Sequence, residues 1–148
     1  MMKAVSILLV AAYASLAAIP SWAECNGSVN RPGEPISFSF AKNSSVLEKA
    51  ESEKFDAWIV EMNGKYSIQN WLSIVGQAGA FEDKPDDLAL SRAAYIAKRA
   101  IDARFIKAPI EIKSYVGSMG NPASAGPAAR TVAVELSPGC PNNCCDRQ

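Results

Sequence analysis

No histidine occurs anywhere in the 148 residues. That removes the side chain most often used as a general base near neutral pH, and with it every histidine-based catalytic arrangement. Ser91 lies outside any Gly-x-Ser-x-Gly turn, so a serine hydrolase lacks its strained nucleophile position. The glycines of "GSMG" (117–120) stand before a strand-like run, without the lysine and helix of a phosphate loop. The chain is therefore read as non-catalytic, with no cofactor. It also lacks an excess of either charge: Lys plus Arg equals Asp plus Glu, 15 of each. No global field then draws it to nucleic acid or to an anionic membrane, and any ligand must be held by local groups.

Cysteine is scarce and confined to the two ends. Cys25 stands near the start, and Cys140, Cys144 and Cys145 lie in "CPNNCCDRQ". Without histidine, and with two adjacent cysteines close to a chain end, the spacing is poor for structural zinc, and no metal is expected. An oxidising compartment would let the cysteines staple the ends together. A bond between Cys144 and Cys145 would close a strained ring, which favours Cys25 with one of these two and Cys140 with another cysteine. Three connectivities stay formally open.

The beginning of the chain explains how it reaches such a compartment. Lys3, an apolar run from Val5 to Ile19, and "SWA" (21–23) have the layout of a secretory signal peptide cleaved after Ala23. The apolar run falls short of the ~20 residues of a spanning helix, so no membrane span is expected after cleavage. Glu24 before Cys25 argues against a lipid-modified cysteine. Residues 24–35 read as a leader, 36–137 as the single domain that this length supports, and 138–148 as the cysteine-rich tail.

Within the domain the hydrophobic period changes several times. Ile36, Phe38 and Phe40 alternate with Ser37 and Ser39, the pattern of a half-buried strand. "AKNSS" reads as a turn ending in a helix cap. In the following helix Leu47, Phe55, Trp58, Ile59 and Met62 share one arc, and Gly64 marks its end. "YSIQNWLSIVG" (66–76) has apolar residues on both faces and predicts a central strand. A second helix is expected from Asp87 to about Phe105, with Leu90, Ala93, Ala94, Ala97 and Ile101 inward and Arg92, Lys98, Arg99 and Asp102 mostly outward. Strands over "APIEIKSYVG" and "RTVAVEL" complete the order strand, helix, strand, helix, strand, strand, which predicts helices laid on one sheet. Glu82, Asp83, Asp86 and Asp87 have the oxygen chemistry of a calcium site, but Asp86 or Asp87 as a helix cap is the simpler reading. Asn26 and Asn43 begin glycosylation sequons, relevant only in a eukaryotic secretory route.

"ISFSF" with "SSVLEKAESEKFDAWI" resembles the opening strand and helix of the OmpA-like, peptidoglycan-associated domain family. "LALSRAAYIAKRAI" resembles that family's Leu-Ser-x-x-Arg-Ala motif, with Leu88, Arg92 and Ala93 at the matching positions. "GSMGNPAS" is similar to a shortened Gly-x-Gly-x-x-x-Pro loop, and "RTVAVEL" to the final Arg-Arg-Val-Glu-Ile strand. The resemblance implies an α+β fold, a βαβαββ sandwich of two helices on one mixed four-stranded sheet. It further implies a periplasmic or secreted domain of a Gram-negative envelope, with peptidoglycan or an envelope protein as partner.

In that family an aspartate in a Gly-x-Thr-Asp loop takes the ammonium of the diaminopimelate side chain, and the helix arginine takes a carboxylate. The arginine corresponds to Arg92, whose planar fork suits bidentate carboxylate binding. With Gly76 at the family glycine, Gly79 falls where the aspartate belongs and Ala78 where the threonine belongs; Ala89 replaces the motif serine and Thr131 one final arginine. Without an acid, a bound ammonium would be desolvated with no partner. Glu82 or Asp83 is the expected substitute if the loop folds back, giving Arg92, Asp83 and Glu82 as candidate ligand-binding residues. The alternative is a diverged scaffold used for protein contacts without peptidoglycan binding.

Overall fold

The computed structural model describes residues 31–104, 107–118, 121, 123 and 126–140. The signal-peptide segment, the sequon at Asn26, and Cys25, Cys144 and Cys145 lie outside the described residues. Cys140 lies inside them and is buried.

The elements run β1 (Glu34–Ser39), α1 (Lys49–Lys65), β2 (Gln69–Ala78), α2 (Pro85–Asp102), β3 (Ile110–Val116), a 3-10 turn (Pro127–Ala129) and β4 (Thr131–Pro138). The sheet order is β1-β4-β2-β3. β4 pairs antiparallel with both β1 and β2, whereas β3 is parallel to β2 and joined to it through α2. This is the expected α+β arrangement, two helices on one mixed four-stranded sheet, and β2 is central as expected, between β4 and β3, although Trp71 on its outer face is about half exposed.

Alternation along the strands builds the core. Phe38, Leu72, Ile74, Val132, Val134 and Leu136 point to the helix side and are almost completely buried. They meet Phe55, Trp58, Ile59 and Met62 of α1, and Ala93, Ile96, Ala97 and Ala100 of α2. Phe55 stands edge-on to Phe38 with ring centroids 5.1 Å apart, a favoured geometry for aromatic quadrupoles.

Helix boundaries differ from the sequence reading for local reasons. Helix α1 starts at Lys49 behind Glu48, which makes no side-chain cap; the expected caps Asn43 to Ser45 lie three or more residues too early, and the Ser44 hydroxyl is used on Val46 in the preceding turn. Gly64 lies inside the last turn, not beyond it. Helix α2 begins at Pro85, where a fixed φ suits the first helical turn, and Lys84 before it takes the left-handed conformation. Asp86 and Asp87 fall within the first turn, favourable for its dipole, and do not cap it.

The inward face of α2 is rotated from the expected one. Ala89, Arg92, Ala93, Ile96, Ala97 and Ala100 are buried, whereas Leu90 and Ile101 are about half exposed. Small residues win the sheet-facing positions because the helix lies so close to β2. A Cβ on Gly76 would sit 2.1 Å from the Ala89 carbonyl oxygen and 2.9 Å from Ala93 Cβ.

That approach predicts the effect of one methyl group. Gly76→Ala should destabilise the domain by about 1–3 kcal/mol in urea unfolding, the usual cost of overpacking. Gly64→Ala, where a Cβ meets nothing within 4 Å, should leave stability unchanged or raise it by up to about 1 kcal/mol.

Candidate functional site

Arg92 projects from the sheet-facing side of α2 and is fully buried. A guanidinium there must satisfy five N–H donors without water. Its Nε donates to the Ser44 carbonyl (2.8 Å), one terminal nitrogen to the Gln77 carbonyl (2.9 Å) and Glu82 Oε2 (2.8 Å), and the other to the Ala41 carbonyl (3.1 Å) and Glu82 Oε1 (2.7 Å). The five donors therefore have five acceptors. The guanidinium carbon also lies 5.3 Å from the centre of the Phe40 ring, within cation–π range.

Glu82 is equally complete. Besides the bidentate contact with Arg92, Oε1 accepts the Asn43 amide (2.7 Å) and Oε2 accepts the Gly79 amide (2.7 Å). Gly79 stands where the family resemblance places an aspartate, and here its backbone holds the carboxylate of Glu82. Burial by itself would raise the pKa of Glu82. The hydrogen bonds from Arg92 and the two amides, with the Arg92 charge, outweigh burial and hold the carboxyl below its ordinary value of 4.5.

Asn43 closes the arrangement from the β1–α1 loop. It adopts φ 57°, a left-handed conformation that asparagine tolerates, which aims its amide at Glu82. Its side chain accepts from the Asp83 amide (3.0 Å) and donates to Asp83 Oδ2 (2.7 Å). Thus the structure brings Arg92 and Glu82 into direct contact and leaves Asp83 on the exposed rim, joined to Asn43. Sequence reading did not single out Asn43 for this role, nor the carbonyls of Ala41, Ser44 and Gln77. The signal that could have found it is the asparagine of "AKNSS", a residue type that tolerates the left-handed conformation.

What remains open beside the pair is a cavity of about 170 Å³ lined by Lys42, Phe81, Glu82 and Arg130. Phe81 is 80% exposed, so it does not seal this space. Among the described residues, no group of three His, Cys, Asp or Glu is gathered for a metal ion, and no helix is long and apolar enough to cross a membrane.

A two-helix layer lies on a mixed sheet of order β1-β4-β2-β3, with an arginine of the second helix facing the loop after the central strand. This is the OmpA-like fold, in a diverged form. Among solved structures the chain is similar to the OmpA-like domain of FopA1 from Francisella tularensis, at 14% identity over 72% of this chain and 73% of that one, with a TM-score of 0.58. It is similar to the cell wall anchor of the T6SS from Pseudomonas aeruginosa, at 14% identity over 72% of this chain and 82% of that one, with a TM-score of 0.56. The periplasmic domain of Helicobacter pylori MotB is 13% identical over 72% of this chain and 81% of that one, with a TM-score of 0.54. No protein-family model and no curated protein sequence matches the chain.

The buried pair sets two expectations. Glu82→Ala would leave a guanidinium charge without its counter-ion, and Arg92→Met would strand three carbonyls and a carboxylate. Each should cost about 3–5 kcal/mol in urea unfolding, whereas Asp83→Ala on the rim should cost less than about 1 kcal/mol. The second concerns pH. Because the folded pKa of Glu82 is lowered, its stabilisation is complete above the unfolded value of 4.5 and is lost as pH falls through the folded value. Stability measured by urea titration should therefore drop below that pH, and Glu82→Gln should remove its share of the drop.

Proposed function

We propose that the chain is a non-catalytic cell-envelope domain that keeps the OmpA-like scaffold but closes its diaminopimelate site with its own Glu82. It then acts through protein contacts in an envelope or secretion assembly, without holding peptidoglycan at Arg92. The observation that carries this reading is the complete set of partners on the Arg92 guanidinium, all supplied by the chain itself. A ligand carboxylate has no donor left there. Displacing Glu82 would bury an ion away from its partner, at a cost that a surface ligand does not repay.

Envelope placement is supported by the signal-like leader, by the terminal cysteines suited to an oxidising compartment, and by the periplasmic and cell-wall settings named for the MotB and T6SS structures. In this reading the leader is removed after Ala23, and the tail cysteines staple the ends of the exported protein.

Incubation of the purified protein with insoluble peptidoglycan, followed by sedimentation, tests the proposal. The wild-type protein should remain in the supernatant under conditions in which an OmpA-like domain carrying the loop aspartate pellets. Wild-type protein in the pellet, released by free diaminopimelate, would overturn the proposal and restore a wall ligand shared between Arg92 and Asp83 or Glu82.

A further inference from the structure

Strand β3 is an edge of the sheet, paired with β2 alone among the described strands. The hydrogen bonds at its two ends fix which backbone groups face outward. The Pro109 carbonyl accepts from Leu72, and the Gly117 amide donates to Ala78, so the odd-numbered residues turn their N–H and C=O groups toward β2. The register from Ile110 to Val116 is unbroken. By strand alternation, Ile110, Ile112 and Ser114 therefore present N–H and C=O groups at the open edge. The opposite edge, β1, carries Pro35, which has no N–H to offer.

Edge strands commonly carry charges that repel a second strand. Here the two charges are of opposite sign and flank a single apolar residue: Glu111, Ile112, Lys113. Their side chains lie on one face and pair with each other at 3.0 Å. Consider a second copy laid antiparallel with the two-fold axis at Ile112. Each Glu111 then stands opposite the partner's Lys113, each Ile112 opposite the partner's Ile112, and each Ile110 opposite the partner's Ser114. The residues in this register whose backbone groups must bond are the even-numbered ones that face outward. Hydrogen-bond parity permits this axis, and the charge pattern selects it among those parity allows.

Side-chain exposure agrees. Ile112 lies on the helix side of the sheet, as Ile110 does, yet is 41% exposed. Helix α2 turns Arg99 toward Ser52 and Asp56 of α1. Leu90, Ala94 and Ile101, spaced along the other flank of α2, leave an exposed apolar stripe on the side away from α1. A helix packed on β2 and β3 with one flank against α1 has its other flank toward the β3 edge.

We propose that β3 is a self-association edge, at which two copies of this chain join antiparallel through Ile110 to Ser114 into one continuous eight-stranded sheet. The isologous contact brings Ile112 and the α2 flank of each copy against those of the other. It supplies one partner for the protein-contact reading above without using Arg92, so peptidoglycan retention and self-association fail separately.

Sedimentation equilibrium of the purified protein over a wide concentration range tests it. The wild type should show a monomer–dimer equilibrium. Ile112→Pro, which removes an outward N–H and no bond to β2, should be monomeric with its thermal unfolding still cooperative. Glu111→Lys or Lys113→Glu alone places like charges opposite each other and should weaken the dimer about tenfold or more. An equimolar mixture of these two variants should recover association as a heterodimer, and the double variant E111K/K113E as a homodimer. A wild type that stays monomeric throughout would overturn the inference and leave the edge to a strand of another protein. A dimer indifferent to Ile112→Pro and to both charge variants would also overturn it, by locating the contact elsewhere.

Discussion

The Arg92–Glu82 pair is the constraint around which this end of the domain is organised. One guanidinium ties the β1–α1 loop, through Ala41 and Ser44, to the end of β2 at Gln77 and to the β2–α2 loop at Glu82. A buried charge is a poor source of stability compared with an apolar residue of similar size. What it supplies here is geometry: five directed donors and four directed acceptor contacts fix the positions of these loops relative to one another. In the proposed reading, the same saturation closes the pair to a ligand.

The close packing of α2 on the sheet makes this pairing necessary. Gly76, Ala89 and Ala93 let the helix approach β2 so closely that a long side chain on that face has no route to solvent. Arg92 leaves the helix in the direction of the loops and meets the carboxylate that the amides of Gly79 and Asn43 have already aimed. An aspartate at position 79 would present its carboxylate beside the one that Glu82 already brings there. The glycine instead contributes only its amide, and the acid comes from three residues further along.

Much of the architecture was legible in sequence. The alternation in "ISFSF" and "RTVAVEL", the two-faced apolar character of β2 and the order of elements gave the sheet and its helices, because strand and helix periods register burial directly. The rotation of α2 was not legible. Leu90 and Ile101 have the greater hydrophobicity, but the space beside Gly76 admits only alanines, and that space depends on tertiary packing. Arg92 was placed outward for the same reason: a charge reads as solvent-facing until its partners are known. Glu82 and Asp83 were equally good candidates in the chain, and tertiary contacts separate them: the Arg92 fork and the amides of Gly79 and Asn43 hold Glu82 inside, whereas Asp83 meets the Asn43 side chain at the rim. The edge at β3 lies between these cases, since its charges are plain in sequence but their relation to outward backbone groups requires the hydrogen-bond register.

The most direct measurement is nitrogen-15 NMR of the Arg92 side chain during titration with diaminopimelate. A guanidinium enclosed by Glu82 and three carbonyls should give a resolved Nε–Hε signal, slow in exchange with water and unmoved at saturating ligand. A signal that exchanges freely and shifts in proportion to bound diaminopimelate would contradict the account, because Arg92 would then be open to a carboxylate from outside the chain.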